Sequence, residues 1–391
     1  MAKPKIRFNG YTEDWEQRKL GDLTKELSDY ATMASGLPLL TSSRSGLMYQ
    51  SDFRDRKTTT SDETLFSIVP KGSCTYRHMS DDDIFHLNIN VLEKGLVSRK
   101  YPVFISSEDN DLEFIIQHIN SSDRFRGFCK GQKKGGTRTR LYYKTLCEFE
   151  MMTPLIEEQK KISATLHNLD HLITLHQRKC EQTKTLKKYM LQKMFPQDGE
   201  KVPQIRFEGF TEDWEQRKLG DIATFINGRA YSQEELLSSG KYKVLRVGNF
   251  YTNDSWYYSD MELEDKYYAE EGDLLYTWSA TFGPHIWHGD KIIYHYHIWK
   301  VELSDTLEKH FAVQLLEKDK QSILSDKNGS TMVHITKAGM ESKEVMLPPN
   351  IREQAEIGKY LQNIDHLITL HQRKCDELKE VKKFMLQNMF V

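Results

Sequence analysis

A chain of 391 residues exceeds the length of one ordinary domain, so two or three domains are expected. The formal net charge of −2 excludes a uniformly basic nucleic-acid-binding protein and confines any such surface to local patches. The chain has no apolar run of about 18 residues, so we expect no membrane partner. Its first residues contain no apolar signal core, which predicts a cytoplasmic protein. Five scattered cysteines disfavour a disulfide framework and a zinc ribbon.

The segment DHLITLHQRKC occurs twice, at 170–180 and at 365–375. A repeat of this length is not a chance event and indicates a duplicated structural unit. Around both copies, apolar residues recur at spacings of four and three, which is the heptad pattern of a coiled coil. The predicted seam residues are Ile162, Leu166, Leu169 and Ile173 in the first copy and Ile357, Leu361, Ile364 and Ile368 in the second. Polar seam residues such as Lys187 are expected to weaken the seam and to fix its register.

Each repeated tail predicts one long helix. Pro196 and Gly199 end the first helix, and Pro348 and Pro349 precede the second. A helix of some 36 residues is a rod of roughly 50–55 Å, and it needs a partner to bury its seam. The other copy is the obvious partner. Because each helix follows its own globular segment, we expect the two to pair antiparallel with pseudo-two-fold symmetry.

A second repeat precedes each globular segment. PKIRFNGYTEDWEQRKLGD at 4–22 returns with three changes at 203–221. Within this leader, WEQRKLGD predicts a short strand that ends at Gly21 or Gly220, and we expect it to have a structural role. The chain therefore consists of two half-chains, each with a leader, a variable middle and a repeated tail.

The duplication predicts an α+β fold in which two mixed α/β globular domains are separated by two long helices that form an antiparallel coiled coil. The predicted segments are a leader at 1–22, a globular domain at 23–155, a helix at 156–196, a second leader at 197–221, a second globular domain at 222–350 and a second helix at 351–391. The two middles show no obvious identity to each other.

Both middles contain short β-type runs separated by turn residues. In the first middle we predict strands at 37–43, 63–69, 84–92 and 100–106 and a helix at 113–120. In the second we predict strands at 241–250, 272–280, 285–290 and 291–303 and a helix at 307–326.

The sequence lacks the common catalytic and nucleotide-binding motifs, so we assign no catalytic residue. Four histidines, His285, His288, His295 and His297, lie close together in the chain. On a strand, His295 and His297 would share one face. Because no cysteine or carboxylate set accompanies them, a structural or DNA-contacting role is favoured over a metal site.

Two regions have the composition of a DNA-binding surface. The segment 124–140 has seven cations, interleaved mobile glycines and no acid, so we expect a flexible basic loop that suits phosphate contacts and guanine reading by arginine. The second region is an aromatic and polar series in the second middle. The candidate DNA-binding residues are Ser42, Ser43, Arg44, Arg124, Arg126, Lys130, Lys133, Lys134, Arg138, Arg140, Arg229, Trp278, Ser279, Thr281, His297, Lys327, Thr331 and His334. The alternatives are a solvated charged surface for the first region and a hydrophobic core with loops for the second.

Several segments together resemble the specificity (S) subunit of type I restriction–modification systems, over essentially the whole chain. The residues that carry the resemblance are the repeated WEQRKLGD and DHLITLHQRK, the helix starts EEQKKI (157–162) and REQAEI (352–357), and the segments KGLVSRKYPVF (94–104), GDLLYTWSATFG (272–283) and HIWKV (297–301). The first helix lacks the LPP sequence that precedes the second, and the bases that are read cannot be transferred from the family.

The resemblance implies that the two middles are target recognition domains, each of which reads one half of an asymmetric, bipartite site in double-stranded DNA. The helices would be a spacer that spans about fifteen base pairs at ~3.4 Å each. Two modification (M) subunits would dock on the repeated regions, and two restriction (R) subunits would join them. S-adenosylmethionine, ATP and magnesium would belong to those partners, and this chain would bind no cofactor.

The chain is then expected to be non-catalytic by itself, as the recognition subunit of a DNA adenine methyltransferase and type I site-specific endonuclease complex. Two other functions stay open. One is a coiled-coil scaffold that binds proteins and has no DNA specificity. The other is a DNA methyltransferase in its own right, which the missing cofactor loop disfavours.

Overall fold

A computed structural model describes residues 3–53, 63–133, 135, 137–251, 253–279, 281–325 and 335–391. Two compact units share the long helices. Unit 1 comprises Met1–His176 and Lys374–Val391, and unit 2 comprises Gln177–Arg373. Each unit therefore contains one globular middle, the first part of the helix that follows it and the last part of the other long helix.

The described elements of the first half-chain alternate short strands with helices. The strands are β1 (Glu16–Lys19), β2 (Thr24–Glu26), β3 (Tyr30–Ala31), β4 (Leu40–Ser43), β5 (Gly46–Tyr49), β6 (Phe66–Val69), β7 (Cys74–Thr75), β8 (Met79–Ser80), β9 (Asn88–Ile89), β10 (Gly95–Ser98), β11 (Val103–Ser106), β12 (Thr139–Arg140) and β13 (Glu150–Thr153). The helices are α1 (Leu20–Leu23), α2 (Gln50–Phe53), α3 (Leu112–Ser121), α4 (Asp123–Gly131), α5 (Tyr143–Leu146) and α6 (Ile156–Lys193).

The second half-chain repeats this pattern. Its strands are β14 (Glu215–Lys218), β15 (Ala223–Asn227), β16 (Tyr242–Leu245), β17 (Tyr257–Ser259), β18 (Tyr268–Ala269), β19 (Leu274–Thr277), β20 (Gly283–Ile286), β21 (Ile292–Tyr294), β22 (Ile298–Leu303) and β23 (Glu344–Leu347). Its helices are α7 (Leu219–Ile222), α8 (Lys309–Ser325), α9 (Lys337–Glu341) and α10 (Ile351–Asn388).

Both units contain the same four-stranded antiparallel sheet, although their middles show no obvious sequence identity. In unit 1 the strand order is β2-β11-β7-β9, and in unit 2 it is β15-β22-β19-β20. In each sheet the second strand of this order, β11 or β22, is followed in the chain by a helix, α3 or α8. The equivalent turns before β7 and β19 both place a glycine, Gly72 or Gly272, at positive φ. The two middles are thus variants of one fold.

The remaining sheets differ between the units. Unit 1 has a three-stranded sheet in the order β10-β6-β3 and two pairs, β4-β5 and β8-β12. Unit 2 has one further four-stranded sheet in the order β17-β16-β21-β18, in which β16 and β21 run parallel. The variable part of each domain is therefore built on a shared sheet and helix.

The repeated leader fastens each globular middle to the start of its helix. Strand β1 pairs with β13 and β14 pairs with β23, so each leader strand lies beside the strand that precedes a long helix. The predicted strands are confirmed, but their predicted ends at Gly21 and Gly220 are wrong. Both glycines lie in one-turn helices, where a Cβ atom would come within 3.0 Å of Cys147 or Glu341.

The two helices of 38 residues each pair antiparallel in both units. In unit 1, Ile173 packs on Cys375 and Leu378, while Ile162 and Leu166 share a core with Met389. In unit 2, Leu191 and Met194 share a core with Ile357, Leu361 and Ile364, and Ile368 packs against that core. Leu169 is partly buried against the cores of unit 1. The predicted fold class is confirmed.

Two ion pairs join the helices at equivalent positions of the repeat. Lys382 contacts Asp170 in unit 1, and Lys187 contacts Asp365 at 2.6 Å in unit 2. Since Lys187 and Lys382 are 195 residues apart, as are Asp170 and Asp365, the same contact is made twice. A one-turn shift of either helix would separate these charges, so the pairs select the observed register.

Most predicted elements occur, but three segments differ from the expectation. The run at 84–92 contains only the two-residue strand β9, and the run at 291–303 is two strands that a turn at His295–His297 separates. We had expected His295 and His297 to share one face of a strand, but they do not lie on one strand. Residues 123–131, predicted as part of a loop, form α4.

No helix among the described residues is long and apolar enough to cross a membrane. Over the same residues, no group of three or more His, Cys, Asp or Glu side chains is placed to hold a metal ion.

Candidate nucleic-acid interface

The basic segment of the first middle is largely helical. Ser122 caps α4 by accepting a hydrogen bond from the Phe125 amide, and Phe125 and Cys129 are buried against the core of unit 1. Burial of one face leaves the cationic side chains Arg124, Arg126 and Lys130 exposed on the other. The prediction of a flexible basic loop is therefore wrong for 124–131, whereas the cations still lie on the surface.

Acidic residues from elsewhere in the chain neutralise part of this segment. Asp81, Asp82 and Asp83 follow β8, and each contacts a different cation. Asp81 accepts a 2.6 Å hydrogen bond from Arg138, Asp82 pairs with Arg44, and Asp83 lies 3.8 Å from Lys133. Asp83 has a positive φ of 64°, which is rare outside glycine. The segment that contains no acid in sequence is therefore partly balanced by acids that are distant in the chain.

Two further cations of the helix also have acidic neighbours. Arg126 bonds to Asp123 one turn earlier at 3.0 Å, and Arg124 lies 3.8 Å from Glu150. The cation of each of these pairs is exposed, so each pair contributes little to stability and a DNA phosphate can compete for the cation.

Arg140 differs from the other cations of this segment. It lies in β12, which pairs with β8, and its side chain is exposed between two adjoining cavities. No ion pair to an acid involves Arg140 within the described part of the chain. Tyr142, also exposed, lines the same two cavities. Arg140 and Tyr142 thus present an uncompensated charge and an aromatic ring at one place.

The hairpin of β4 and β5 contains three of the candidate DNA-binding residues. Arg44 is exposed at its tip and pairs with Asp82. Ser42 is buried, and its hydroxyl accepts a 2.7 Å hydrogen bond from the Asn88 amide. Ser43 is half-buried and donates to the Gly46 carbonyl at 3.0 Å. Both serines therefore hold the hairpin, and Ser42 is withdrawn as a DNA-contacting residue because its side chain is inside the protein.

In unit 2, aromatic side chains gather at the turn between β21 and β22. The Trp278 ring stacks on Trp299 with centroids 5.8 Å apart, and its indole nitrogen donates to the Tyr296 carbonyl at 2.9 Å. The His297 ring lies 5.1 Å from Trp278 and 3.9 Å from Tyr296. Tyr296 is exposed, and His297 is half-buried. Trp278 and His297, predicted separately, are therefore neighbours.

The histidines of this cluster are neutral at pH 7. Burial, together with the nearby His297 and Arg246, lowers the pKa of His295 to about 4. Burial also lowers the pKa of His297. A neutral imidazole carries one donor and one acceptor, so it suits hydrogen bonds to base edges better than attraction to phosphate.

The other candidates of unit 2 are not all on this surface. Arg229 is about three-quarters buried, bonds to Glu235 at 2.6 Å and lies over the Tyr231 ring, so it holds a loop together. Ser279 is half-buried and Thr281 is exposed, beside Trp278 in the chain. Lys134, Lys327, Thr331 and His334 lie outside the described residues.

Sequence reasoning missed several residues beside these candidates. In unit 1 they are Arg99, Lys100, Tyr101 and Tyr142, and in unit 2 the missed residue is Tyr296. In SRKYP (98–102) and TRLYYK (139–144), cations and tyrosines alternate within a few residues. That alternation was the available signal, because aromatic rings interleaved with cations are typical of nucleic-acid surfaces.

The family comparison agrees with this arrangement. A family model described as the type I restriction modification DNA specificity domain matches residues 86–185 and 211–380. The chain belongs to this family. The predicted resemblance to a type I specificity subunit is thereby confirmed, and its family-level function is the recognition of DNA sequence.

Relatives of this specificity chain include two from Methanocaldococcus jannaschii. The type I restriction enzyme MjaVIII specificity subunit is 28% identical over 184 residues, which are 46% of this chain and 42% of that relative. The putative type I restriction enzyme MjaX specificity subunit is 21% identical over 97% of this chain and 93% of the relative. The chain thus matches under half of the first relative and nearly all of the second.

A solved structure shows the same fold. The S subunit of a type I restriction–modification system from M. genitalium superposes with a TM-score of 0.66 over 100% of this chain and 99% of that one, at 14% identity. The shared architecture therefore extends over both units of this specificity chain.

Proposed function

We propose that this chain reads an asymmetric, bipartite DNA sequence, with one half-site for each globular middle, within a type I restriction–modification complex. The observation that carries the proposal is that both middles share one sheet and one helix but carry different side chains on their surfaces. Both middles have the same sheet and the same docked helix, yet unit 1 presents arginines and tyrosines where unit 2 presents a tryptophan and histidines. Two DNA-reading domains that share a fold but differ in their side chains suit a DNA site with two different halves.

The surfaces match two modes of DNA contact. Arg140 and the cations around it in unit 1 suit phosphate contacts and guanine edges. Neutral His297 and Tyr296 in unit 2 suit hydrogen bonds and packing against base edges. The scaffold alternative, without DNA specificity, explains neither the uncompensated Arg140 nor the exposed aromatic rings of both units.

The repeated helices also support two copies of one partner. Each unit exposes apolar side chains at equivalent positions of its two long helices. They are Leu172, Val381 and Phe384 in unit 1 and Leu367, Leu186 and Tyr189 in unit 2, where Leu370 is also exposed. A group of exposed apolar residues marks a protein contact. Because the group occurs twice, we propose that it binds two modification subunits, which two restriction subunits then join.

Catalysis belongs to those partners in this proposal, together with S-adenosylmethionine, ATP and magnesium. The chain contributes the choice of sequence. The helices contribute the number of unread base pairs between the half-sites, because α6 and α10 each run without interruption from one unit into the other.

The test is methylation-site mapping in DNA from cells that express this chain with its modification subunit. We expect one bipartite, asymmetric sequence. Arg140→Ala should relax the first half-site only, with a loss of about 1–3 kcal/mol in binding if the side chain reads a base. His297→Ala should relax the other half-site only. Equal loss of both half-sites in either variant contradicts one reader per half-site, and DNA binding without sequence preference supports the scaffold alternative.

The spacer role has a separate test. Insertion of seven residues after Arg178 and after Arg373 keeps the heptad phase of both helices and lengthens each by about 10 Å. We expect the mapped spacer to grow by about three base pairs. The control is a variant in which seven exposed residues are replaced by alanine and nothing is inserted; it should keep the original spacer. An unchanged spacer in the insertion variant shows that the helices do not set the distance.

A further inference from the structure

A cavity of about 600 Å³ opens on the surface of unit 1 beside the basic segment. It lies at the ends of β2, β3, β8 and β12, and the segments 99–103 and 142–144 complete its wall. Among the described residues, four tyrosines, four Lys or Arg side chains, one histidine and one carboxylate line it. A volume of this order accommodates a small organic ligand.

The walls of the cavity are aromatic. Tyr142 is 53% exposed and Tyr30 is 46% exposed, so both rings are open to a ligand. The Arg99 guanidinium lies 5.3 Å from the centre of the Tyr30 ring, and the His78 ring lies 6.0 Å from Tyr142 and 6.3 Å from Tyr101. Tyrosine rings that face solvent in a concave site are platforms for flat aromatic ligands, of which nucleobases are the most common in DNA-binding proteins.

The rim of the cavity is positively charged. Its four cations are Arg99, Lys100, Arg140 and Lys144. Across the described chain none of them forms an ion pair with an acid, in contrast to Arg44, Lys133 and Arg138 nearby. Glu26 is the one carboxylate at the cavity, and burial raises its pKa. The rim therefore retains an excess of positive charge, which suits a phosphate group.

The cavity contains a buried polar atom that lacks a partner. His78 is only 5% exposed, and its Nδ1 has no hydrogen-bond partner among the described residues. Its main chain is held in place because the Leu141 amide donates to the His78 carbonyl at 2.9 Å. Buried polar atoms are nearly always paired. Because His78 lines the cavity, its unpaired nitrogen is the polar atom of the cavity wall that a ligand would satisfy. Burial lowers the pKa of His78, so the neutral ring offers one donor and one acceptor.

We propose that this cavity binds one nucleotide, with its base against the tyrosines and its phosphate on the cationic rim. His78 and Glu26 then meet the edge of the base, where a carboxylate accepts from an exocyclic amino group of cytosine or adenine. Two sources supply such a ligand. One is a free nucleotide, and the other is a nucleotide extruded from the first half-site, since a base in an intact stack cannot enter a concave cavity. The second source rests on the proposed function.

The first experiment uses the full chain and the four 5′-deoxynucleoside monophosphates, with saturation-transfer NMR as the readout. We expect saturable binding of at least one nucleotide. Tyr142→Ala and Arg140→Ala should each weaken it by about tenfold, because they remove the stacking ring and a phosphate contact. Tyr142→Phe keeps the ring and should stay within about twofold of the unchanged chain.

The matched control is Tyr251→Ala, which removes an exposed tyrosine of unit 2. Nucleotide binding should be unaffected in this variant. Circular dichroism spectra that match the unchanged chain show that the cavity variants are folded. The proposal is overturned if no nucleotide binds saturably, or if Tyr251→Ala weakens binding as much as Tyr142→Ala. Neither result bears on sequence recognition, which the methylation map tests by itself.

The second experiment distinguishes the sources. 2-Aminopurine is placed at successive positions of the mapped first half-site, and its fluorescence is recorded in the complex with the modification subunit. A rise at one position that Tyr142→Ala abolishes, and that Tyr251→Ala leaves intact, assigns the cavity to an extruded base. Unchanged fluorescence at all positions, together with mononucleotide binding, assigns the cavity to a free nucleotide and removes DNA as the source.

Discussion

Helices α3 and α8 occupy the same place in the two units, and the contacts around them show which parts of the protein are duplicated. The third residue of each is a buried phenylalanine that packs edge-on against the leader tryptophan, Phe114 on Trp15 and Phe311 on Trp214. The Gln159 side chain accepts a hydrogen bond from the backbone just before α3, and Gln354 does so before α8. Leader and long helix therefore hold both middles in the same way, whereas the candidate DNA-contacting surfaces carry different side chains. The duplicated residues build the frame, and the variable residues build the reading surface.

The two frames differ at the leader tryptophan. Glu353 is 1% exposed and accepts from Arg206 at 2.7 and 2.9 Å and from the Trp214 indole at 3.2 Å. Glu158 accepts from Arg7 in the same way, but the Trp15 indole has no hydrogen-bond partner among the described residues. We expect Glu353→Ala to destabilise unit 2 by about 3–5 kcal/mol, because it removes the carboxylate partner of Arg206, a largely buried cation whose other bond is to the Glu212 carbonyl. Glu158→Ala should cost unit 1 about 1 kcal/mol less.

Hydrogen exchange followed by mass spectrometry measures each unit separately. Glu215→Ala, an exposed carboxylate of the second leader, is the matched control and should leave exchange unchanged. An equal cost in both units shows that the tryptophan bond contributes nothing to the difference.

His118 makes the stability of unit 1 depend on pH. Burial is the main cause that lowers its pKa to about 4; a backbone contact to Val391 opposes this shift, and Arg124 adds to it. The unfolded chain binds the proton near pH 6.5 and the folded chain does not, so stability is lost as pH falls from about 6.5 to about 4, by up to about 3 kcal/mol.

The equivalent residue of α8 is Leu315, which packs in the core of unit 2. We expect His118→Leu to flatten this part of the pH profile in unit 1 only. Urea unfolding at pH 7, 5.5 and 4.5 is the measurement. Unit 2 should keep its own acid sensitivity, because burial also lowers the pKa of His285 to about 4. A profile of unit 1 that is unchanged in His118→Leu contradicts this assignment.

Helices α3 and α8 pack at different distances from the long helices, α6 and α10. A Cβ atom on Gly358 of α10 would lie 2.5 Å from the Phe311 amide nitrogen, so α8 lies directly against the α10 backbone. The equivalent residue of α6 is Ser163, which is buried but accommodates its side chain. We expect Gly358→Ser to destabilise unit 2 by about 1–3 kcal/mol through overpacking, and Ser163→Gly to cost unit 1 under about 1 kcal/mol. Thermal unfolding of both variants is the measurement, and equal costs contradict the closer packing in unit 2.

The smallest expected effect concerns the acidic segment of unit 1. Replacing Asp81 and Asp82 by asparagine releases Arg138 and Arg44 from their exposed pairs. We expect severalfold tighter binding to DNA of unrelated sequence, with a salt slope steeper by up to about two, because two more cations reach phosphates. Asp123→Asn, which frees Arg126 on α4, is the control for added charge alone. Unchanged non-specific binding shows that the aspartates do not restrain these arginines.

The sequence predicted the frame better than the reading surface. The heptad pattern and the leader strands were confirmed, because periodicity and duplication are local features that a single chain displays directly. Helix α4 was missed because only Phe125 and Cys129 mark its buried face, and two glycines and several cations mask the helical pattern. The turn at His295–His297 was missed because it contains none of the usual turn residues, so an apolar run appeared to be one strand.

The duplicated repeat by itself determined that two long helices pair antiparallel and that two domains are built on one plan. This was possible because helical periodicity and the sequence identity of the two copies are visible in residues that are close together in the chain. Only the tertiary structure decided which candidates reach the surface with an available charge. Arg138 and Arg44 meet aspartates that are about forty to sixty residues away in the chain, and Ser42 turns inwards to Asn88. Arg140 lies beside Tyr142 and has no ion pair with any described acid. Those outcomes depend on long-range chain packing, which local patterns do not encode.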